Sequence, residues 1–259
     1  MNDKSSNQLC FAQISDCHLF SDQKALHHGV NVYDNLCTVL NAIKAQKYIE
    51  LMVFTGDLTQ DHTPQSYQNF VDAVQQVNIE IPIYYLAGNH DDPQLLTEFL
   101  FHKPFCQDKV IQSSHWSIHL VNSKSETPAG FVDTQALGQL SVNNNNKAQF
   151  IMMHHHPIDV GYFIDRHGLT NQAEFWQSIA QLKDLKGIAC GHVHNAISIL
   201  PEQSQLPVPL YTCPATSIQF DQTADTVANA NQGAGYRVFH LYSNGEFRTQ
   251  AHFIHDPVT

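Results

Sequence analysis

The stretch FAQISDCH, residues 11–18, joins a short apolar run to a polar group that contains an aspartate and a histidine. Four more stretches have the same form: LMVFTGD (51–57), IYYLAGNHD (83–91), FIMMHHHP (150–157) and GIACGHVH (187–194). Each apolar run is typical of a buried strand, and each polar group follows where that strand would end. Because the carboxyl ends of parallel strands lie along one edge of a sheet, where ligands bind, these five groups are predicted to converge.

The side chains in these polar groups are aspartate, asparagine and histidine, which bind hard and borderline divalent metals. Asp16 and His18 alternate along the chain, as do His192 and His194. In an extended segment alternate side chains point to the same side, so each pair is predicted to face one metal site. Three strand ends also have a glycine that is predicted to allow a tight turn: Gly56, Gly88 and Gly191.

The cysteines are scattered and contain no Cys-x-x-Cys pair: Cys10, Cys17, Cys37, Cys106, Cys190 and Cys213. Structural zinc sites use paired thiolates, and disulfide frameworks belong to small secreted domains. The pattern therefore predicts free thiols in a reducing compartment. It also favours a catalytic centre for manganese, iron or zinc over a structural zinc site.

The segments between the five stretches predict further helices and strands. Helical spacing of apolar residues indicates helices over 32–44, 64–77, 93–101 and 172–182. Further strands are predicted over 116–122, 210–213, 237–242 and 246–253, the last two joined at Asn244-Gly245, a strong hairpin signal. The alternation of strands and helices, followed by a strand-rich end, predicts two packed sheets with helices on their outer faces. No internal repeat or linker is visible, so a single domain over 1–259 is expected, with a loop tip at 143–146.

The composition is that of a soluble globular protein, with 42% hydrophobic and 14% charged residues. No apolar run approaches the roughly 20 residues that span a bilayer, and the polar first eight residues lack an apolar signal core. We therefore expect a cytoplasmic protein without a membrane partner. The net charge of −11 opposes nucleic-acid binding. It also repels phosphate substrates unless bound cations reverse the local charge.

The ordered set of motifs resembles the calcineurin-like metallophosphoesterases, and among them the class III cyclic-nucleotide phosphodiesterases of bacteria. The resemblance runs from about residue 13 to about residue 253 and includes GVNVYDNL (29–36), CPATSIQF (213–220) and GYRVFHL (235–241). It implies a four-layer αββα sandwich of two mixed sheets flanked by helices. It also implies a dinuclear-metal phosphodiesterase that hydrolyses 3′,5′-cyclic AMP to 5′-AMP by attack of a metal-bridging hydroxide.

The resemblance further implies a role for each polar residue. Two divalent ions are expected, iron or manganese, with zinc as the alternative. The implied ligands are Asp16, His18 and His194 for the first metal, Asn89, His154 and His192 for the second, and Asp57 as the bridge. Three histidines stand in a row at 154–156, and matching the last proline of the family motif assigns His154, with His155 as the alternative.

His90 follows an implied ligand and is expected to face the substrate, where it would protonate or stabilise the leaving oxygen. The residues expected to contact substrate are His18, Asp57, Asn89, His90, His154 and His194. Asp91 either orients His90 or another histidine, or caps a helix that begins at Pro93. The remaining histidines outside 154–156 are interpreted as surface or core residues: His27, His28, His62, His102, His115, His119, His167, His240, His252 and His255.

Two other functions remain open. The same metal site would serve another small phosphodiester, such as a 2′,3′-cyclic nucleotide or a glycerophosphodiester. A non-catalytic scaffold with a decayed metal site is the distant alternative, and the presence of all seven expected ligands disfavours it. The expected partners are a small-molecule cyclic nucleotide or another phosphodiester, and the chain is expected to be a monomer or a homodimer.

Overall fold

The computed structural model describes residues 8–142, 147–200 and 208–254. The predicted loop tip at 143–146 and His255 lie outside the described residues. The strands are β1 (Gln8–Ile14), β2 (Leu26–His27), β3 (Val30–Asn31), β4 (Leu51–Phe54), β5 (Ile83–Tyr85), β6 (Phe105–Cys106), β7 (Val110–Gln112), β8 (Trp116–Leu120), β9 (Ala148–Met153), β10 (Leu185–Cys190), β11 (Ser198–Ile199), β12 (Leu210–Thr212), β13 (Ala234–Tyr242) and β14 (Phe247–Ile254). The helices are α1 (Val32–Ala45), α2 (Pro64–Val77), α3 (Pro93–Phe99), α4 (Thr134–Val142), α5 (Gln172–Ile179) and a 3₁₀ helix (Phe163–His167).

Two mixed sheets contain most of these strands. The first has the order β14-β13-β1-β4-β5-β6, and the second has the order β11-β12-β10-β9-β8-β7. In the first sheet β1, β4, β5 and β6 are parallel, and β13 and β14 run antiparallel to their neighbours. In the second sheet β12, β10, β9 and β8 are parallel, with antiparallel strands at both edges. The parallel strands of each sheet therefore end along one edge, which is where the polar groups lie.

The two sheets pack face to face, and helices cover their outer faces. One buried cluster joins residues of both sheets, among them Phe11, Phe239, Phe150 and Trp116. Phe11 and Phe239 stack with ring centroids 4.9 Å apart, and Phe150 meets Phe239 edge-on at 5.3 Å. A second cluster packs α1, α2 and α3 on the first sheet, and a third packs α4 and α5 on the second. The result is the predicted αββα sandwich.

The starts of the helices follow from their capping residues. Asn31 caps α1 by accepting from the backbone N–H of Tyr33, and Thr63 caps α2 in front of Pro64. Asp92, not Asp91, caps α3. No helix in the described part of the chain is both long and apolar enough to cross a membrane.

The predicted elements are found, with ends that differ by a few residues. The hairpin at Asn244-Gly245 joins β13 to β14 as predicted, and Gly245 adopts a φ of 81° there. The edge strands β6, β7 and β11 and the β2–β3 hairpin were not predicted, because two or three residues are too few to show a period. Helix α4 was also missed because Gly138 interrupts its helical pattern.

Candidate metal centre

Polar residues from five strand ends converge at one place. Strands β1, β4 and β5 are neighbours in the first sheet, and β9 and β10 are neighbours in the second. Beyond these strands, His154 Nε2 lies 3.4 Å from Asp57 Oδ2, and His194 Nε2 lies 3.4 Å from Asp16 Oδ1. His18 Nε2 lies 3.8 Å from Asp57 Oδ2, and Asn89 Oδ1, after β5, lies 3.1 Å from His154 Nε2. The five groups therefore meet, as the sequence predicts.

Two of the histidines are oriented by backbone carbonyl groups. His154 Nδ1 lies 2.8 Å from the carbonyl oxygen of Thr55, and His194 Nδ1 lies 2.8 Å from that of Ile218. A carbonyl oxygen only accepts, so each Nδ1 donates its proton outwards and each Nε2 faces the centre. Histidines that bind metals are commonly held in this way by a hydrogen bond from their other ring nitrogen.

The atoms that face the centre lie close to one another. His18 Nε2 is 3.1 Å from His194 Nε2, and His154 Nε2 is 3.2 Å from His192 Nδ1 and 3.1 Å from Asn89 Oδ1. Buried nitrogen and oxygen acceptors at these separations repel one another unless a proton or a cation lies between them. Sets of ligand atoms within 4.8 Å of one another are Asp16–His18–His194, Asp16–Asp57–His154, His18–Asp57–His90 and His154–His155–His192.

The backbone at these residues is not extended. The φ angle is 56° at Asp16, 47° at His18, 57° at Asp57, 66° at His192 and 48° at His194. This corrects the expectation that alternate side chains of extended segments present the ligands. Left-handed turns direct the side chains instead. A non-glycine residue in this region costs about 1–3 kcal/mol, and such strain is typical of functional sites.

Two of the glycines at the strand ends allow close approach of neighbouring loops in addition to a turn. A Cβ at Gly88 would lie 2.2 Å from Asp57 Oδ1, and a Cβ at Gly191 would lie 2.1 Å from Ser15 Oγ. Of these three glycines, only Gly56 combines a crowded position with a positive φ, 98°. The carbonyl oxygens of Gly88 and Gly191 accept from backbone N–H groups three and two residues further along the chain, over 3.3 and 2.7 Å, so the predicted turns are found there as well. The missing side chains also let neighbouring loops touch.

Asp91 connects two of the strand-end loops. Its buried carboxylate accepts hydrogen bonds of 2.8 Å from the backbone N–H groups of Asp57, Leu58 and Gly88. This corrects both predicted roles, since the side chain neither bonds a histidine nor caps α3. It instead holds the loop after β4 against the loop after β5.

The other two residues of the histidine run are engaged elsewhere. His155 Nε2 lies 3.1 Å from the carbonyl oxygen of Pro128, and Nδ1 lies 2.9 Å from Ser123 Oγ. His156 Nε2 lies 3.1 Å from Asp165 Oδ1. All three histidines of the run are buried, but only His154 directs a ring nitrogen at the Asp57 carboxylate.

Burial and charge set the protonation of the centre. Burial lowers the pKa of His18 and of His192 well below the usual histidine value, so both rings are neutral at pH 7. Burial by itself would raise the pKa of Asp57 and lower the pKa of His154, since it disfavours the charged form of each group. Nevertheless, the Asp57 carboxylate raises the pKa of His154 to about 9, and His154 holds the pKa of Asp57 well below its usual range. Metal binding at this position would therefore release a proton.

His90 stands at the edge of the centre. Its ring meets that of His18 edge-on at 4.9 Å and stacks on that of His62 at 5.4 Å, and its backbone N–H donates to Asp57 Oδ1 over 2.9 Å. Among the described residues, its buried Nδ1 has no hydrogen-bond partner. Burial lowers the pKa of His90.

A cleft of about 390 Å³ lies over the centre and contains residues that the sequence did not indicate. His27, His28 and His167, interpreted above as surface or core residues, line this cleft. So do apolar residues, among them Phe163 and Val227. No motif marks any of them, because isolated residues in loops and in very short elements have neither a period nor a recognisable spacing.

A second cavity, of about 620 Å³, shares Asn89 and His90 with the cleft. Its lining is largely polar and includes Lys124 and Glu126. Lys124 Nζ donates to the carbonyl oxygen of Asn89 over 3.0 Å. This lysine supplies a positive charge beside the centre of an acidic protein.

An αββα sandwich with buried histidines and carboxylates at the ends of parallel strands defines a class of metal-dependent phosphoesterases. The model of the calcineurin-like phosphoesterase family matches residues 10–196. The chain therefore belongs to the calcineurin-like phosphoesterase family.

Two relatives and one solved structure agree with this assignment. The chain is 55% identical to a "probable cyclic nucleotide phosphodiesterase" of Colwellia psychrerythraea, over 93% of this chain and 94% of that protein. It is 30% identical to the 3′,5′-cyclic adenosine monophosphate phosphodiesterase CpdA of Vibrio vulnificus, over 95% and 90%. The fold is similar to that of a dimetal phosphatase from Danio rerio, with a TM-score of 0.65 at 10% identity, over 90% of this chain and 93% of that one. The predicted family, fold and enzyme class, a metal-dependent phosphodiesterase, are confirmed.

Proposed function

We propose that this protein hydrolyses 3′,5′-cyclic AMP to 5′-AMP at a centre of two divalent metal ions. The observation that carries the proposal is the set of ring nitrogens, carboxylate oxygens and one amide oxygen that face one another at 3.1–3.8 Å beyond five strand ends. The proposed ligands are Asp16, His18 and His194 for one ion, Asn89, His154 and His192 for the other, and Asp57 for both. The names of the relatives support the substrate.

The hydrogen bonds favour His154 over His155 as the ligand. His154 keeps Nε2 directed at Asp57, since its Nδ1 donates to a backbone carbonyl. His155 would have to break its bond with Ser123 or with Pro128 to present a ring nitrogen. Breaking a buried hydrogen bond costs about 1–3 kcal/mol. His154 could therefore bind a metal ion without this cost, whereas His155 could not.

The bound ions would neutralise the phosphate and lower the pKa of a water held at the centre. The protein's own residues position the substrate around them. His18, Asp57, Asn89, His154 and His194 form the floor on which the phosphate rests. His90, whose Nδ1 is unpartnered within the described residues, protonates or stabilises the leaving ribose oxygen. A group in this role contributes about 10²–10⁴-fold to the rate.

The proposal also covers the identity of the metals, the cellular compartment and the partners of the enzyme. The donor set of histidine, carboxylate and amide suits iron or manganese, with zinc as the alternative. All six cysteines are free thiols, which agrees with a reducing compartment, and we assign the protein to the cytoplasm. A small phosphodiester is the expected partner of a monomeric or homodimeric enzyme, without nucleic acid or membrane.

The test is product analysis with metal-reconstituted protein. Cyclic AMP, cyclic GMP, 2′,3′-cyclic AMP and a glycerophosphodiester are each incubated with the enzyme, and the products are separated by chromatography. We expect 3′,5′-cyclic AMP to be among the best substrates and 5′-AMP to be its only product. A clear preference for the 2′,3′-cyclic nucleotide or the glycerophosphodiester would overturn the proposed substrate and leave the family assignment unchanged.

A second assay separates an enzyme from a scaffold. Hydrolysis of bis(p-nitrophenyl) phosphate is measured with manganese, before and after addition of a chelator. We expect activity that the chelator abolishes. A protein that binds no metal and shows no chelator-sensitive activity would be a scaffold.

A further inference from the structure

A small apolar cluster lies beside the metal centre, apart from the three clusters that pack the sandwich. Its members come from the β2–β3 hairpin, the 3₁₀ helix and the segment after β12. The cluster consists of Ile164, Ile218 and Phe220, which are buried, and Val30, Tyr162, Phe163 and Val227, which are partly buried. Because these residues contribute little to the main layers, their apolar surface calls for another explanation.

The cluster forms one side of the cleft over the metal centre. Phe163, Ile164, Phe220 and Val227 line the same 390 Å³ cleft as five of the seven proposed ligands. Phe220 also lies flat against the ring of His194, with centroids 3.9 Å apart and an interplanar angle of 5°. A substrate whose phosphate rests on the metal centre therefore has an apolar surface within reach of its other end.

The position of Phe163 is fixed from several directions. Its ring packs against Phe220 with centroids 4.9 Å apart. Arg166 donates through Nε to the carbonyl oxygen of Phe163 over 2.8 Å, and through a terminal nitrogen to that of Asp225 over 2.7 Å. The guanidinium also lies over the Phe163 ring at 5.7 Å. A partly exposed aromatic ring held in this way is prepared for binding, since little side-chain freedom is lost when a ligand stacks on it.

The loop of Phe163 is also tied to the metal centre. The Asp165 carboxylate accepts from the backbone N–H groups of Val160, Gly161 and Tyr162, and it contacts His156 Nε2 at 3.1 Å. The ring of His156 in turn stacks on that of His192, with centroids 5.6 Å apart. The apolar side of the cleft and the ligand loops therefore keep a fixed separation.

We infer that this apolar side is the binding site for the nucleobase of the substrate, with Phe163 as its stacking platform. The inference rests on the proposed function and names the part of the cleft that selects a nucleotide over other phosphodiesters. The faces of aromatic and apolar side chains complement the face of a heterocyclic base better than the polar ends of a glycerophosphodiester. The neighbouring cavity, with Lys124 and Glu126, is polar and suits a base face less well.

The test compares two substrates that differ only in the base. Hydrolysis of 3′,5′-cyclic AMP is measured beside that of methyl β-D-ribofuranoside 3′,5′-cyclic phosphate, in which a methoxy group replaces the adenine. Aromatic stacking of one base corresponds to about 5- to 150-fold in affinity. We expect Phe163→Ala to lower kcat/KM for cyclic AMP by about that factor, chiefly through KM. The rate on the base-free substrate should stay within about twofold, and Phe163→Trp should restore the wild-type preference.

Controls separate binding from folding. Phe101→Ala, at an exposed phenylalanine outside the cleft lining, should leave kcat/KM unchanged for both substrates. Metal content and circular dichroism show whether Phe163→Ala folds and keeps its ions, and Phe163→Leu serves if it does not. Equal losses on both substrates in a folded, metal-loaded variant would overturn the base site. Failure of the wild-type protein to hydrolyse cyclic AMP would overturn the proposed function instead.

Discussion

The carboxylate of Asp57 contacts both halves of the proposed centre. Its Oδ2 lies 3.4 Å from the Nε2 atom of His154, which follows strand β9 of the second sheet. The same oxygen lies 3.8 Å from Nε2 of His18, which follows strand β1 of the first sheet. Its Oδ1 accepts the backbone N–H of His90. A side chain at this position suits a ligand shared by two ions, and the left-handed backbone of Asp57 is the strained conformation that places it there.

An experiment can decide whether His90 acts as a proton donor or as a metal ligand. His90→Ala is expected to lower kcat on cyclic AMP by about 10²–10⁴-fold, because a general acid supplies that factor. Metal content, measured by plasma emission spectrometry, should equal that of the wild type. Loss of one metal in this variant would show that His90 is a ligand and that the assigned role is wrong.

Asp91 is expected to stabilise the fold more than its neighbour Asp92 does. Asp91→Ala removes the partner of three buried N–H groups, which should lower the free energy of unfolding by about 3 kcal/mol or more. Asp92→Ala removes only the α3 cap and should cost about 1 kcal/mol. Urea denaturation of both metal-free variants measures the difference. Equal values would contradict the role given to the Asp91 carboxylate.

At the level of elements, the strands and their polar ends could be predicted from sequence, because a buried strand followed by a burst of ligand-type residues is a local pattern. The turns that aim those residues could not. Nothing in Asp16-Cys17-His18 shows that both outer residues adopt a positive φ. The close approach of Gly88 to Asp57 also depends on residues more than 30 positions apart, as does the Asp91 bridge. Tertiary packing, and not local preference, sets these features.

Gly88 tests whether close packing of the strand-end loops is needed for metal binding. A Cβ there would lie 2.2 Å from Asp57 Oδ1 and 2.4 Å from the Asp57 backbone nitrogen, so Gly88→Ala must displace the Asp57 carboxylate, the proposed bridge, or its loop. We expect the variant to lose at least half of its bound metal and most of its activity. Gly138→Ala, in α4 with open space around the new Cβ, should keep both. Full metal content in Gly88→Ala would contradict the close-packing argument.

At the level of the whole molecule, the centre is assembled from both sheets. His154, which follows β9 of the second sheet, donates to the carbonyl oxygen of Thr55, which follows β4 of the first. The Asp16 carboxylate, after β1 of the first sheet, accepts from the backbone N–H of His192, after β10 of the second. The chain has a net charge of −11, so two divalent ions at this edge would provide the positive charge that an anionic substrate requires. In this acidic protein, the site would therefore attract an anionic substrate only when metal ions are bound.

The measurement that tests this account most directly is anomalous diffraction, at the manganese absorption edge, from crystals of the manganese-loaded protein. We expect two peaks about 3.5–4 Å apart, both in contact with Asp57, with His154 and not His155 at the second ion. A single peak, or two peaks that do not share Asp57, would contradict the dinuclear centre on which the proposed function depends.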